Sequence, residues 1–524
     1  MIKWIQNLEK SIFYFFKSYG KCILSEVGIG FIAYFMMMSL NLVNDLDGIW
    51  HLSNFIAGDW EISLGRGLQR YADRARFGIV SDSFNSIITI SLIAIANAVI
   101  LMRFQLDNLV YKVLLLTILI ANPVVCRSLS YSYMSVNFGL AYFFSVLSFS
   151  CIENENKNDK GKLLKLFLGA FCLGISMAFY QAYICVTCVL VVSYIIKMLL
   201  EKQRIKNILS YVGMGLGLIV LGGIFYLLIV KLLLFRAGIQ MASYKGASNM
   251  NLLLMIKSMP ESIKQCYLQF LDFIWRQKTL SDLEFIDIVL FGLCAVYIFS
   301  VGIQIFKIWK YSVISAVMLL IMVGLLPIAS CVVLLIAVGN SMTGLMVMGI
   351  LMCIVMLGII IPKEGKIAFW MQRIYAFFLV AFAWFQLSTV ENDQLALKEG
   401  KTATITLTEN IVSELYSKGY LEEEKSVALV GRPSDNDRFA QSTAYQMANG
   451  YAKFGCWSTD ARNNRVSWNG VLYNFLGVNL NLCGDTEYQQ IVNMEQVATM
   501  PEFPMEGSIC VIDDVVVVKV SDLY

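Results

Sequence analysis

The sequence predicts an all-α protein that crosses a membrane many times and ends in a small water-soluble α/β domain. Of its 524 residues, 58% are hydrophobic and only 15% are charged, which excludes an ordinary soluble globular protein of this length. Apolar stretches of about 20 residues, the length a helix needs to cross the hydrocarbon core, recur as far as about residue 388. We therefore predict a membrane part over residues 1–388 and a separate domain over residues 389–524.

The membrane part contains about eleven predicted spans. Their approximate bounds are 24–43, 84–102, 108–122, 134–151, 163–180, 181–200, 207–234, 286–308, 311–337, 342–361 and 367–388. The first span follows a basic segment and is interrupted by Glu26, so we interpret it as a retained helix and not as a cleaved signal sequence.

Positive charges in the short loops predict the orientation of the spans. With the N-terminus in the cytoplasm, the loops assigned inside hold Arg103, Lys157, Lys160, Lys162, Lys197, Lys202, Arg204, Lys206, Lys307, Lys310, Lys363 and Lys366. This is the positive-inside pattern, and an odd number of spans then places the C-terminal domain outside. We expect a multi-pass membrane protein in contact with membrane lipids.

Two long outer segments interrupt the rhythm of spans and tight turns, at about 44–83 and about 236–285. Long loops cost ordering entropy and often carry function, so chemistry is expected there. Within the second segment, residues 262–277 have the apolar spacing of an amphipathic helix lying along the membrane surface.

The C-terminal domain has the composition of a small soluble α/β module. Residues 395–419 are expected to be helical in their second half, and residues 426–431 to form a buried strand. Residues 508–520 predict a hairpin that turns at Asp513 and Asp514. The chain shows no nucleotide-binding glycine pattern, and we expect no nucleic-acid partner.

The first outer segment holds the densest polar cluster near the membrane. Asp45 and Asp47 lie where the first span ends, and a carboxylate at the border of low dielectric is suited to accept a proton. Arg66 and Arg70 follow, four residues apart on one predicted helical face. Outward arginines oppose the charge bias of the loops, and guanidinium groups bind phosphate well. The alternative is that the aspartates cap the helix exit and the arginines contact lipid headgroups.

Further candidates lie in this segment and in later outer loops. His51 is predicted to hydrogen-bond the acidic pair or a sugar, or to be an ordinary loop histidine. Arg127 is a second candidate for phosphate contact. Gln181, at the outer rim between two spans, favours a hydroxyl-rich ligand or forms an interhelical hydrogen bond. Tyr180 beside it suits either a ligand contact or an interface anchor.

The order of these motifs resembles the Gtr-type glucosyltransferases of bacterial membranes. The resemblance rests on Asp47, Trp50, Gly65–Arg66, Tyr180–Gln181 and the proline-containing stretch 500–508 before the final strand pair. Many members carry adjacent acidic residues where this chain has Asp-Leu-Asp. That difference leaves two candidates for the base, although the spacing to Trp50 and Gly65–Arg66 favours Asp47 over Asp45.

The resemblance implies a GT-C glycosyltransferase that takes a hexose, with glucose favoured, from a polyprenyl-phosphate carrier at the outer face of the membrane. The acceptor would be a cell-surface polysaccharide. An aspartate would act as general base, with inversion at the anomeric carbon, and arginines would hold the lipid phosphate. A divalent metal is left open, because one aspartate pair does not define a metal site.

Two other classes of protein share some of these features. A transporter or flippase for a lipid-linked or anionic substrate would also need many spans and basic residues, but the paired broken helices typical of transporters are not evident. A sensor that uses its soluble domain would not need eleven spans. A transferase should bring Asp47 and the Arg66 region to one outward-opening cavity.

Overall fold

The computed structural model describes residues 2–44, 46–106, 108–152, 161–244, 252–276, 285–337, 339–420, 425–436, 442–455, 457 and 461–522. Within these ranges, nine helices are long and apolar enough to cross a membrane: Asp82–Phe104, Leu109–Ser130, Ser132–Cys151, Lys162–Phe179, Gln181–Leu200, Ile205–Ala237, Ile286–Trp309, Val313–Ser330 and Lys366–Ser417. The prediction of a multi-pass helical protein is therefore confirmed in kind, and the exact count of eleven stays a prediction.

Two predicted spans do not appear among these nine. The predicted span at 342–361 corresponds to a shorter apolar helix, Met348–Ile360. The predicted span at 24–43 is not one helix, because the helix Ile2–Ala33 ends there and a short helix, Phe35–Ser39, follows.

The side chain of Gln394, which is distant in the sequence, stabilises this interruption of the first helix. The amide of Gln394 donates a hydrogen bond to the Ala33 carbonyl oxygen at 2.7 Å, and its Oε1 accepts one from the Met37 N–H at 2.9 Å. Tyr34, between the two helices, donates its hydroxyl to the Ile120 carbonyl oxygen at 2.7 Å. Backbone groups that lose their helical hydrogen bonds inside an apolar layer need other partners. The break in the helix therefore depends on residues that are distant in the sequence, and a local pattern does not reveal them.

The last long helix runs unbroken past the predicted domain boundary. It covers Lys366–Ser417, 52 residues, so it is helical over the whole of 395–417 and not only in the second half of 395–419. The fall in hydropathy after residue 388 marks a change in the surroundings of the helix and not its end. The division of the chain into 1–388 and 389–524 stays a prediction.

Glycines allow close helix packing beside the outer loops. In the pair Lys162–Phe179 and Ile205–Ala237, a β-carbon on Gly174 would lie 2.8 Å from the Phe225 β-carbon, and one on Gly222 would lie 2.6 Å from a Leu173 methyl group. Small residues at such positions let the backbones of membrane helices approach. This packing fixes the turn that follows Phe179, where two of the candidate residues lie.

Shorter elements connect the long helices. They are Leu46–Trp50, Asp59–Ser63, Gln69–Ala75, Leu252–Leu271, Asp272–Arg276, Val333–Ile336 and Gly344–Met346. The predicted helix at 262–277 is present in Leu252–Leu271 and its π-helical continuation Asp272–Arg276. Its position along the membrane surface stays a prediction.

The C-terminal part contains a three-stranded sheet. Its strands are β1 (Val427–Val430), β2 (Ile509–Ile512) and β3 (Val515–Lys519), in the order β1-β3-β2. The first pair is parallel, with Val427 opposite Val516, and the second is antiparallel, with Ile512 opposite Val515.

The hairpin turn and the buried strand agree with their predictions. Asp513 and Asp514 both have positive φ angles, of 46° and 66°, as a two-residue hairpin turn requires. All four residues of β1 are buried. The C-terminal part also contains the helical elements Pro433–Asp435, Thr443–Gln446, Gly450–Ala452, Ala461–Val471, Leu472–Leu476, Asp485–Val492 and Glu495–Thr499.

Candidate functional site

A buried aspartate holds the first outer segment together. Asp73 is completely buried and accepts hydrogen bonds from the Ala57 N–H at 2.9 Å, the Arg76 guanidinium at 2.5 Å and the Asn137 amide at 3.2 Å. Burial raises the pKa of this carboxyl above its ordinary value, while the three hydrogen bonds oppose the rise. These bonds join two ends of the loop to the helix Ser132–Cys151, so the loop has a defined shape.

Gly65 makes the turn that presents Arg66. Its φ is +76°, and a β-carbon at this position would collide with the Tyr226 hydroxyl and lie 3.1 Å from the Gln181 amide nitrogen. Only glycine adopts this conformation at low cost while allowing the close approach. The glycine of the Gly-Arg pair therefore allows the Arg66 guanidinium to pack against the end of the helix bundle.

Arg66 packs against the turn that joins the helices Lys162–Phe179 and Gln181–Leu200. Its guanidinium carbon is 4.7 Å from the centre of the Tyr180 ring, and its Nε donates to the Gln181 Oε1 at 3.4 Å. The Gln181 amide nitrogen in turn donates to the Leu64 carbonyl oxygen at 2.7 Å and to the Tyr226 hydroxyl at 3.0 Å. The structure thus brings together three of the predicted site residues.

A second guanidinium, that of Arg127, packs on a different tyrosine, Tyr451. Arg127 lies on the segment Pro123–Ser130, half-buried, with its guanidinium carbon 5.2 Å from the centre of the Tyr451 ring. Its Nε is buried and has no hydrogen-bond partner among the described residues. The hydroxyl of Tyr180 is within electrostatic range of both Arg66 and Arg127. We call Arg66, Arg127, Tyr180 and Gln181 the arginine site.

Arg70 is engaged elsewhere. Its guanidinium forms an ion pair with Asp59 at 2.7 Å, and its Nε donates to the Ala57 carbonyl oxygen at 2.8 Å. The expectation that Arg66 and Arg70 share one helical face is wrong, because the helix Gln69–Ala75 begins after Arg66. A role for Arg70 in binding phosphate stays a prediction.

Asp47 lies on a short helix that contacts the C-terminal part of the chain. Asp47 is exposed on the helix Leu46–Trp50, whereas Asp45 lies outside the described residues. Three residues further on, the Trp50 ring stacks on Tyr473 at 6.4 Å between centres, and both rings are exposed, by 38% and 61%. The Trp50 Nε1 donates to the Val466 carbonyl oxygen at 3.2 Å.

Gly470 permits this contact between the C-terminal part and the first outer loop. A β-carbon there would lie 2.7 Å from an Ile49 methyl group and 3.1 Å from the Trp50 Nε1. The Asn474 amide also donates to the Ile49 carbonyl oxygen at 2.9 Å. We call Asp47, Trp50 and Tyr473 the tryptophan face.

His51 begins a run of aromatic rings. Its half-buried imidazole lies 4.4 Å from the Phe55 ring and 4.9 Å from the Tyr133 ring, measured between centres. Burial lowers the pKa of His51 below its ordinary value, so the imidazole is neutral at neutral pH. From Tyr133 the contacts continue through Tyr131 and Phe138 to the tyrosine of the arginine site.

Sequence reasoning missed several residues that adjoin the arginine site. Asp393 is completely buried and accepts hydrogen bonds from the Tyr451 hydroxyl at 2.5 Å and the Asn449 N–H at 3.0 Å. Thr343 forms a side-chain hydrogen bond with Tyr180. The signal in the sequence was the polar run 391–394, shortly after the predicted span 367–388.

The cavity of about 1030 Å³ in this structure lies elsewhere. Its lining residues, between Phe104 and Leu379 along the chain, include none of the predicted site residues. A shared outward-opening cavity for Asp47 and Arg66 therefore stays a prediction. Among the described residues, no three histidine, cysteine or acidic side chains are grouped as metal ligands would be.

Comparisons with known proteins give the family. The profile of the family described as glucosyl transferase GtrII matches residues 51–357, more than half of the chain. The matched segment contains the arginine site and begins immediately after Trp50, so it does not include Asp47. Neither the curated proteins nor the solved structures gave a match. The extent of the profile match, over a chain with nine candidate membrane helices in its described part, establishes that this protein belongs to the glucosyl transferase GtrII family.

Proposed function

We propose that this glucosyltransferase moves glucose from a polyprenyl-phosphate carrier to a cell-surface polysaccharide at the outer face of the plasma membrane, with inversion at the anomeric carbon. The observation that carries the proposal is the arginine site. The Arg66 guanidinium lies over the Tyr180 ring, and Arg127 is within electrostatic range of the same tyrosine. Arg127 is also within electrostatic range of the buried Asp393, but neither guanidinium forms a direct ion pair with a carboxylate in the described part of the chain. Such a pair of cations is suited to a phosphate group.

The charge change in the reaction favours two cations. The donor is a phosphodiester with one negative charge, and its departure as a polyprenyl phosphate monoester adds a second. Arg66 and Arg127 would therefore interact more strongly with the transition state than with the bound donor, which is the condition for catalysis. The aromatic contacts at 4.7 and 5.2 Å hold both guanidinium groups in place before the donor binds.

The remaining steps are assigned to the tryptophan face. Asp47 would remove the proton from an acceptor hydroxyl, whose oxygen attacks the anomeric carbon while the bond from that carbon to the phosphate oxygen breaks. The electron pair of that bond leaves with the polyprenyl phosphate. The exposed rings of Trp50 and Tyr473 offer aromatic surface for the acceptor polysaccharide, since aromatic rings combine an apolar face with a polar edge. The C-terminal part would thus help to bind the acceptor.

The orientation of the chain follows the charge bias. The basic loops favour a cytoplasmic N-terminus, with the C-terminal part outside. Membership of a glucosyltransferase family favours this reaction over a transporter or flippase. Movement of the donor lipid across vesicles without any glucose transfer would instead favour the transporter.

The test of the base uses Asp47→Asn and Asp45→Asn in the purified full-length chain. We would measure the transfer of labelled glucose from synthetic polyprenyl-phosphate glucose to extracted surface polysaccharide. Asp47→Asn is expected to lower the rate by about 10²–10⁴-fold, the usual contribution of a general base. Asp514→Asn is the control, because that aspartate has a positive φ that asparagine tolerates and lies in the distant hairpin turn.

The pattern of loss decides between the two aspartates. Loss only in Asp45→Asn would move the base to Asp45, and full activity in both variants would remove either from the mechanism. Mass analysis of the surface glycan from cells that lack this protein would identify the sugar, the acceptor and the linkage. Adding a chelator to the same assay would test the metal requirement that the sequence left open.

A further inference from the structure

The cavity of about 1030 Å³ lies at the end of the bundle opposite to the arginine site. The helix Gln181–Leu200 shows the separation, because Gln181 belongs to the arginine site and Leu200 lines the cavity. Its 20 residues, at a rise of about 1.5 Å each, span about 30 Å, the thickness of the hydrocarbon core. The cavity and the arginine site therefore face opposite leaflets.

Lysines dominate the charged lining of this cavity. Its described lining contains two glutamates, Glu201 and Glu364, and five lysines, Lys197, Lys202, Lys307, Lys310 and Lys363, an excess of three positive charges. Lys197 lies 3.6 Å from Glu201, and the Lys202 ammonium lies 5.6 Å from the centre of the Tyr311 ring. All five belong to the loops that the positive-inside pattern assigns to the cytoplasmic side.

The depth of the cavity is apolar and aromatic. The rings of Tyr111 and Tyr375 meet edge to face at 5.9 Å between centres, and Leu114 and Leu379 line the wall beside them. One wall reaches the surface of the protein, since Val110 lines the cavity and is 53% exposed. A positively charged rim above an apolar interior is complementary to a lipid with a negatively charged headgroup.

We propose that this cavity binds a phosphate-bearing lipid of the leaflet opposite to the arginine site. The headgroup phosphate lies among the lysines of the rim, with Lys202 and Lys307 as its main contacts. The hydrocarbon chain lies along Val110 and Leu114 and leaves the cavity toward the bilayer. The apolar walls select a lipid over free phosphate, and the positive rim selects an anionic lipid over a zwitterionic one. This site does not depend on the proposed transfer reaction.

The test measures lipid binding to the purified full-length chain in detergent by native mass spectrometry. The probes are phosphatidylglycerol, phosphatidylcholine with the same acyl chains, polyprenyl phosphate, and inorganic phosphate as a competitor. The variant is K202Q/K307Q, and the control is K17Q/K206Q, which removes two exposed lysines outside the cavity lining. At about fivefold in affinity for each lysine near an anionic headgroup, K202Q/K307Q should weaken phosphatidylglycerol binding about 25-fold.

Several results would overturn the proposal. Equal affinity for phosphatidylcholine and phosphatidylglycerol would remove the role of the charge, and equal losses in the two double variants would remove the site. Displacement of the lipid by inorganic phosphate would make free phosphate the ligand. Binding of polyprenyl phosphate with the same dependence on Lys202 and Lys307 would support the proposal and identify the lipid class.

A second variant tests the cavity without changing its charge. Leu200→Trp fills space in the lining, so it should abolish lipid binding while all five lysines remain. An elution volume in gel filtration equal to that of the unaltered chain shows that the variant is folded. Arg66→Gln should leave lipid binding unchanged, so the failure of this proposal and the failure of the transferase proposal can be told apart.

Discussion

Removal of the positive charge of Arg66 is the most informative perturbation of the arginine site. In Arg66→Gln the side chain keeps hydrogen-bonding capacity but loses its charge beside Tyr180, where the guanidinium lies 4.7 Å from the ring centre. Arg127 remains, so the site keeps one cation. The loss should therefore report the contribution of a single charge to the developing dianion.

The expected magnitude follows from Coulomb's law. Two unit charges about 4 Å apart near a protein surface, with an effective dielectric of about 20, interact by about 4 kcal/mol. If about half of the new negative charge has developed in the transition state, the barrier rises by about 2 kcal/mol, and with full development by about 4 kcal/mol. The expected fall in kcat is therefore about 30- to 1000-fold. Loss of attraction for the charge already present on the donor raises KM as well.

The assay is glucose transfer from polyprenyl-phosphate glucose by the purified chain, at several donor concentrations so that kcat and KM are separated. Arg74→Gln is the matched control, because Arg74 is exposed on the helix Gln69–Ala75 of the same loop. Arg66→Lys should fall between the two, since lysine keeps the charge and loses the planar contact with Tyr180. Equal rates for Arg66→Gln and Arg74→Gln, with both proteins folded, would refute the reasoning.

Three further predictions concern the loop that carries this site. Gly65→Ala should lower glucose transfer strongly, because alanine is strained at φ +76° and its β-carbon meets the Tyr226 hydroxyl; Tyr226→Phe in the same chain should restore part of the rate. Asp73→Asn should lower the free energy of unfolding by about 3–5 kcal/mol, because the buried Arg76 charge loses its partner. Thermal unfolding measures this loss, and a melting temperature within a degree of that of the unaltered chain would contradict it. Burial lowers the pKa of His51, so protonation at low pH favours the unfolded chain, and stability falls as the pH drops below about 6.5. His51→Phe should remove that part of the pH dependence of the melting temperature. An unchanged pH profile in this variant would exclude His51 as its source.

Local patterns in the sequence predicted those elements that have local causes. A helix in lipid must satisfy its backbone internally over a fixed length, so Asp82–Phe104 and Ile286–Trp309 could be recognised from apolar length alone. The hairpin at Asp513 and Asp514 was equally visible, because a tight turn between two apolar runs has few solutions.

Features set by distant parts of the chain escaped prediction. The break at Tyr34 depends on the Gln394 side chain, about 360 residues away, and nothing near the break in the sequence indicates it. The same is true of the candidate site. Its Gly-Arg pair was visible, whereas the pairing of Arg70 with Asp59 and the approach of Tyr451 to Arg127 required the folded chain.

The unbroken helix Lys366–Ser417 determines how the C-terminal sheet is rotated about the helix axis. Tyr375 lines the lysine-rimmed cavity, Asp393 lies beside the arginine site, and Leu415 is buried in the core of the C-terminal sheet. All three belong to one rod about 78 Å long, given 52 residues and a rise of about 1.5 Å each. Deletion of one residue between Asp393 and Leu415 would turn everything beyond it by about 100° and so carry the sheet out of alignment. This stretch of the chain should therefore tolerate substitutions far better than changes in its length.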